Sequence, residues 1–214
     1  MKRRLILAAP LGLAACASLL PKQKYVSTTD WPLTLPPPPM QPVNRAGPVL
    51  LVRDLSAGPG LNDQSLHTLR PDGSLEISYY NRWAVPPADA TTASLAAWAE
   101  ASGAFSTVVA PGSRLTADLI VEGELSEFMA DIAAQQARAV LTLVVIRNAD
   151  TAVATARPLA QSRITGTAPL VGTDPAELVT AQRAALANVL TQAVALLTSC
   201  AAGQGRSQGS GPNF

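Results

Sequence analysis

The chain has 214 residues, 48% of them apolar and 4% aromatic, with 16 Lys and Arg against 15 Asp and Glu. That length suffices for one domain with a substantial core. Three of the basic residues stand at positions 2 to 4, and beyond them no Lys/Arg cluster forms and no run of 18 uninterrupted apolar residues occurs, which excludes a nucleic-acid surface and argues against a later membrane span.

The chain opens with Lys2, Arg3 and Arg4, an apolar run from Leu5 to Ala14, and then Leu13-Ala14-Ala15-Cys16. A basic start, a short apolar run and small residues before a cut make a secretory signal, too short for a transmembrane helix. The last four residues resemble a bacterial lipobox, which implies cleavage before Cys16 and acylation of its sulfur. Several acyl chains on one residue hold a protein to a membrane far better than one does. An ordinary signal peptide that happens to carry a cysteine is the plainer reading. With residues 1–15 gone the mature chain carries 13 basic and 15 acidic residues, so its net charge turns negative.

Residues 16–47 contain Pro21, Pro32, Pro36 to Pro39 and Pro42. Proline fixes φ and lacks a donor, so the stretch is expected to be an extended tether, with Tyr25 and Trp31 able to shorten it by docking. The folded domain is expected over 48–200. Val49 to Leu55 is a β-prone run that ends in a Ser-Ala-Gly-Pro-Gly turn cluster. Leu66 to Leu69 and Leu75 to Tyr79 flank Pro71-Asp72-Gly73, a hairpin signal. Pro86-Pro87 opens a helix with Leu95, Trp98 and Ala99 on one face, closed by Gly103.

Phe105 to Val109 reads as a short strand. In Ala117 to Met129, Leu119, Val121 and Leu125 alternate with Glu122 and Glu124, the pattern of a half-buried antiparallel strand. Arg138 to Arg147 is β-rich, and Thr151 to Thr165 can pair with it across Asn148-Ala149-Asp150. Asp174, Pro175 and Glu177 then cap a helix whose apolar stripe runs through Leu178, Ala185, Leu186, Val189, Ala193 and Leu197. Residues 201–214, rich in Gly, Ser and Gln, are expected to be a disordered tail. The order predicts an α+β fold: a mixed, largely antiparallel sheet with two main helices packed on one face.

Chemistry has few candidates. His67 is the only histidine, so any Ser/His or Cys/His hydrolase would need it, and its place in a strand suggests a structural role. Gly205-Arg206-Ser207-Gln208-Gly209 spells a nucleophile elbow but lacks the strand and helix that expose the serine. Glu122 and Glu124 read as a solvated strand face rather than an acid/base pair. No metal-ligand spacing or phosphate-cradling loop is present, so no catalytic residue, metal or cofactor is assigned. Cys200 cannot pair with an acylated Cys16, and it reads as a small residue near a helix end.

Aromatic side chains concentrate at Tyr79, Tyr80 and Trp83, beside Arg82. Such a group can recognise a partner by stacking and cation–π contact, or it can be a packed corner with Trp83 in the core. The stretch Ser78-Tyr79-Tyr80-Asn81-Arg82-Trp83-Ala84-Val85-Pro86-Pro87 resembles the Tyr-x-x-Arg-Trp-Ala-x-Pro signature of the ABC-type transport auxiliary lipoprotein family, which includes the PqiC lipoproteins. The preceding strand and hairpin and the lipobox follow that family's order, with Pro87 where relatives commonly carry an apolar residue. The resemblance implies an outer-membrane lipoprotein, anchored on the periplasmic face through Cys16. Its expected partners are an MCE-domain periplasmic protein and an inner-membrane ABC transporter that together move lipids and maintain membrane integrity. It brings no catalytic residues. Tyr79, Tyr80, Arg82 and Trp83 carry over as motif positions and candidate interface, homo-oligomerisation is left open, and Ala17 favours outer-membrane sorting. The alternative is a lipoprotein that regulates envelope assembly or peptidoglycan synthesis.

Overall fold

The computed structural model describes residues 25–148 and 156–208, with side chains to Gly203. Cys16 and the expected turn at Ala149-Asp150 lie outside the described residues. The fold is α+β. Its strands are β1 (Thr29–Trp31), β2 (Val49–Val52), β3 (Ser56–Ala57), β4 (Ser65–Leu69), β5 (Leu75–Trp83), β6 (Thr107–Val109), β7 (Leu119–Asp131), β8 (Gln136–Arg147) and β9 (Arg157–Pro169). Helix α1 (Pro87–Ala101) follows β5, and α2 (Pro175–Gln208) follows β9.

β7 is the spine of the sheet. One edge pairs with β8 antiparallel from end to end, and β8 pairs likewise with β9. The other edge is shared by three short parallel strands laid end to end: β2 beside Leu119–Val121, β3 beside Glu124–Leu125, and β4 beside Ala130–Asp131. β6 then joins β2, while β5 joins β4 and β1 joins β5. The alternation read in the sequence sorts the two faces of β7. Leu119, Val121, Leu125 and Phe128 are buried under the helices, whereas Glu122 and Glu127 face the other way and meet Arg53, Arg138 and Arg163.

Both helices lie on one face, α2 across β9, β8 and β7, and α1 beside it. Pro87 starts α1, where its missing N–H costs no helical hydrogen bond. Glu177 takes the backbone N–H of Asp174 at 3.3 Å, and the Asp174 carbonyl accepts from Glu177 and Leu178, so the start of α2 is capped where the sequence indicates. Every residue of the stripe from Leu178 to Leu197 is buried. By length and composition Pro175–Gly203 could cross a bilayer, but that stripe is spent on the sheet. The β4–β5 hairpin turns at Gly73, with φ of +82°. Asp72 accepts hydrogen bonds from the Ser74 hydroxyl and N–H, which hold its carboxyl below the usual aspartate range.

Three expectations need correction. The proline-rich stretch is not a free tether over its whole expected length, because Thr29–Trp31 pairs with β5 and Leu33 and Leu35 enter the core. Trp98 Nε1 donates to the Leu35 carbonyl, Arg183 donates to that of Pro32, and Gln41 and Asn44 bond the end of α1. Residues 29–47 are therefore a strap across the helices, held by two leucines that proline-rich composition concealed. At the other end α2 continues to Gln208, eight residues into the expected tail, because lengthening a formed helix is far easier than nucleating one. Finally, β5 runs on to Trp83, and Ser56–Ala57 in the turn cluster forms a short strand.

Close approach of α2 to β9 depends on Gly166. A Cβ there would stand 2.3 Å from the Ala185 carbonyl oxygen and 2.8 Å from Val189. Gly166→Ala is expected to destabilise the domain by about 1–3 kcal/mol through overpacking, read as a lower denaturant midpoint at unchanged slope.

Candidate functional site

The aromatic corner is built by an irregularity in β5. Ile77 pairs with His67 and Arg82 with Ser65, so four residues of β5 lie opposite the single Leu66. The surplus bulges outward, closed by the Ser78 hydroxyl, which accepts the Asn81 N–H at 3.1 Å. Bulges re-aim side chains, and here they turn two successive tyrosines to solvent. Tyr79 is 78% exposed and Tyr80 44%, their rings edge-to-face with centroids 5.1 Å apart. Leu75 and Ile77, earlier on the same strand, are also exposed. From Leu75 to Tyr80 the outer edge of β5 has no neighbour among the described residues, since β1 covers only Asn81–Trp83.

The other motif residues hold the corner in place. Trp83 is fully buried, its ring 5.4 Å from that of Phe128. Arg82 Nε and Nη2 donate to Asp30 at 3.2 and 3.0 Å, and Asn81 accepts from Trp31 Nε1. All three bonds tie β1 to β5. The ion pair is exposed, so its contribution is under about 1 kcal/mol, but with the three-residue ladder it fixes where the strap begins. Tyr79, Tyr80, Arg82 and Trp83 thus take two kinds of position: two face solvent, two lock the fold.

On the helix side of the bulge lies a groove of about 450 Å³ lined by Leu66, Thr68, Ser78, Asn81, Ile132 and Leu178. Its walls come from β4, β5, the turn after β7 and the start of α2, so no local motif announces it.

The remaining candidates separate from this corner. His67 is buried in β4, with Nε2 3.4 Å from Asp63 Oδ1 and its carbonyl bonded by Gln182. Glu122 faces solvent and pairs with Arg53 at 3.4 Å. Cys200 sits half-buried on α2, where burial pushes the thiol pKa up, away from the reactive thiolate. No group of three His, Cys, Asp or Glu able to hold a metal occurs among the described residues.

The model of the ABC-type transport auxiliary lipoprotein component matches residues 32–194, most of the chain and all of this corner. The chain belongs to that family. Among solved structures it is similar to protein XCC0632 from Xanthomonas campestris, described as DUF330, with a TM-score of 0.70 and 25% identity over 85% of this chain and 99% of that one. An uncharacterized protein shares the fold with a TM-score of 0.60 and 12% identity over 80% and 99% of the two chains. So does CT253 from Chlamydia trachomatis, with 0.52 and 10% over 73% and 98%. No curated protein matches. The family match begins at Pro32, within the strap rather than after it, in agreement with burial of Leu33 and Leu35 in the domain. As a transport auxiliary lipoprotein family, it is not a known enzyme family.

Trp83→Ala is expected to cost about 3–5 kcal/mol as a large buried aromatic is truncated, whereas Tyr79→Ala should stay within about 0.5 kcal/mol as a surface change. Equilibrium denaturation of the two variants separates the locking residue from the displayed one.

Proposed function

We propose that this protein is an accessory lipoprotein of an MCE and ABC-type intermembrane lipid transport system, anchored through Cys16 to the periplasmic face of the outer membrane. Tyr79 and Tyr80, with Leu75 and Ile77, form its docking surface for the periplasmic partner. The observation that carries the reading is the division within the signature: Trp83 and Arg82 already have partners inside the chain, but the tyrosines have solvent. Large aromatic side chains left exposed on a rigid strand are what interfaces use, because they bring contact area at little entropic cost. Family membership supports a transporter as the partner, and the lipobox and Ala17 support the outer-membrane address. The corner offers no nucleophile and base pair, so binding accounts for the arrangement better than chemistry does.

A photo-crosslinking amino acid at position 77 of the full-length chain, exposed on the same surface, in cells that carry the native transport system, is expected to capture the MCE protein or an ABC component. The double change Tyr79→Ala with Tyr80→Ala should lower that recovery at least tenfold while leaving the melting temperature unmoved. Recovery of cell-wall synthesis enzymes alone, with lipid asymmetry intact in a deletion strain, would replace the transport reading with the envelope-assembly one.

A further inference from the structure

A second irregularity lies at the far end of the sheet. β8 and β9 pair residue for residue as far as Val145 and Ala160, then the register shifts, so that Ile146 faces Pro158 and Arg147 faces Arg157. Leu159 is the surplus residue. Without it Pro158 would stand opposite Arg147, and Arg157 would fall beyond the end of β8. With it, two guanidinium stems leave directly opposed positions on one face, Cβ atoms about 5 Å apart, an arrangement that is destabilising for like charges.

Nothing among the described residues compensates this pair. The ion pairs present engage Arg53, Arg70, Arg82, Arg138, Arg163 and His67, not these two. Asp118, at the same end of the sheet, accepts the Val49 N–H on its Oδ2 at 2.7 Å. Arg147 Nε is buried without an acceptor, and an orphaned buried donor in a native fold commonly marks the place of a water or an ion. Two planar guanidinium forks on one face match a phosphate group, whose oxygens accept bidentate bonds from each.

We infer that Arg147 and Arg157 form a binding site for a phosphate group, free or carried on the headgroup of an anionic lipid. The site is separate from the aromatic corner and does not depend on which partner docks there.

The full-length chain in neutral detergent is heated with inorganic phosphate, with dihexanoyl-phosphatidylglycerol, with dihexanoyl-phosphatidylcholine, or with sodium chloride at matched ionic strength. Phosphate, phosphatidylglycerol or both should raise the melting temperature by about 3 °C at ten times Kd, with no such rise in chloride or phosphatidylcholine. A response to both identifies the phosphate group as what is read, and a response to one identifies its source. Arg157→Gln should weaken that binding at least tenfold while the ligand-free melting temperature holds or rises, since the repulsion is gone. The inference is overturned by a rise no larger than chloride or phosphatidylcholine gives, by a response retained in Arg157→Gln, or by a ligand-free melting temperature that falls in that variant.

Discussion

Burial of Trp83 against Phe128 is the contact on which the displayed surface depends. Phe128 belongs to β7, the spine that every other part of the sheet reaches directly or through one or two strands. Trp83 ends β5, so the indole pins the C-terminal end of that strand to the spine while the β4–β5 hairpin fixes its other end. A strand held at both ends with surplus residues between must bulge, and the bulge turns Tyr79 and Tyr80 outward. Aromatic display at this corner is therefore a consequence of aromatic burial three and four residues away, and the spacing Tyr-x-x-Arg-Trp records that coupling.

The arginine between them serves a different connection. Arg82 bonds Asp30, and Trp31 bonds Asn81, so β1 is fastened to the one part of β5 that Trp83 immobilises. From there the strap passes Arg183 on α2 and Trp98 on α1 before its own Gln41 and Asn44 bond the carbonyls of Ala101 and Gly103 at the end of α1. Desolvation lowers the Arg183 pKa from its ordinary value, yet the group stays charged at any physiological pH because that value is so high. Its bond to the Pro32 carbonyl is thus indifferent to pH, as a structural fastening should be.

Most of the architecture was legible because it rests on periodicity. The alternation in β7, the stripe of α2 and the capping residues around Pro175 each follow from local geometry, and the structure repeats them nearly residue for residue. What was illegible falls into two physical classes. Docked irregular chain is the first: Leu33 and Leu35 sit among prolines in a stretch too short for its alternation to announce a strand, and only their contact with the packed core decides that they are buried. Bulges are the second. One surplus residue inverts alternation locally, so neither the outward turn of two adjacent tyrosines nor the opposition of Arg147 and Arg157 can be counted from the sequence. Both of these bulges lie where side chains lack partners within the fold, whereas a third irregularity, at Ser126 of β7, is closed by its hydroxyl, which donates to the Val140 carbonyl and accepts from Arg163.

The strap also changes what an anchor at Cys16 would do. A tether free as far as residue 47 would let the domain wander roughly 100 Å from the membrane, at about 3.1 Å per extended residue. With Thr29 already in the sheet, the chain between Cys16 and Thr29 reaches at most roughly 40 Å by the same measure. It also arrives beside β5, the strand that displays Tyr79. Because β1 runs parallel to β5, the direction back along β1 toward the anchor points to the hairpin end of the corner rather than to the Arg147–Arg157 end. The aromatic surface thus lies near the incoming chain and the opposed arginines at the other end of the sheet, so the fold itself sets the two surfaces apart along the strand direction.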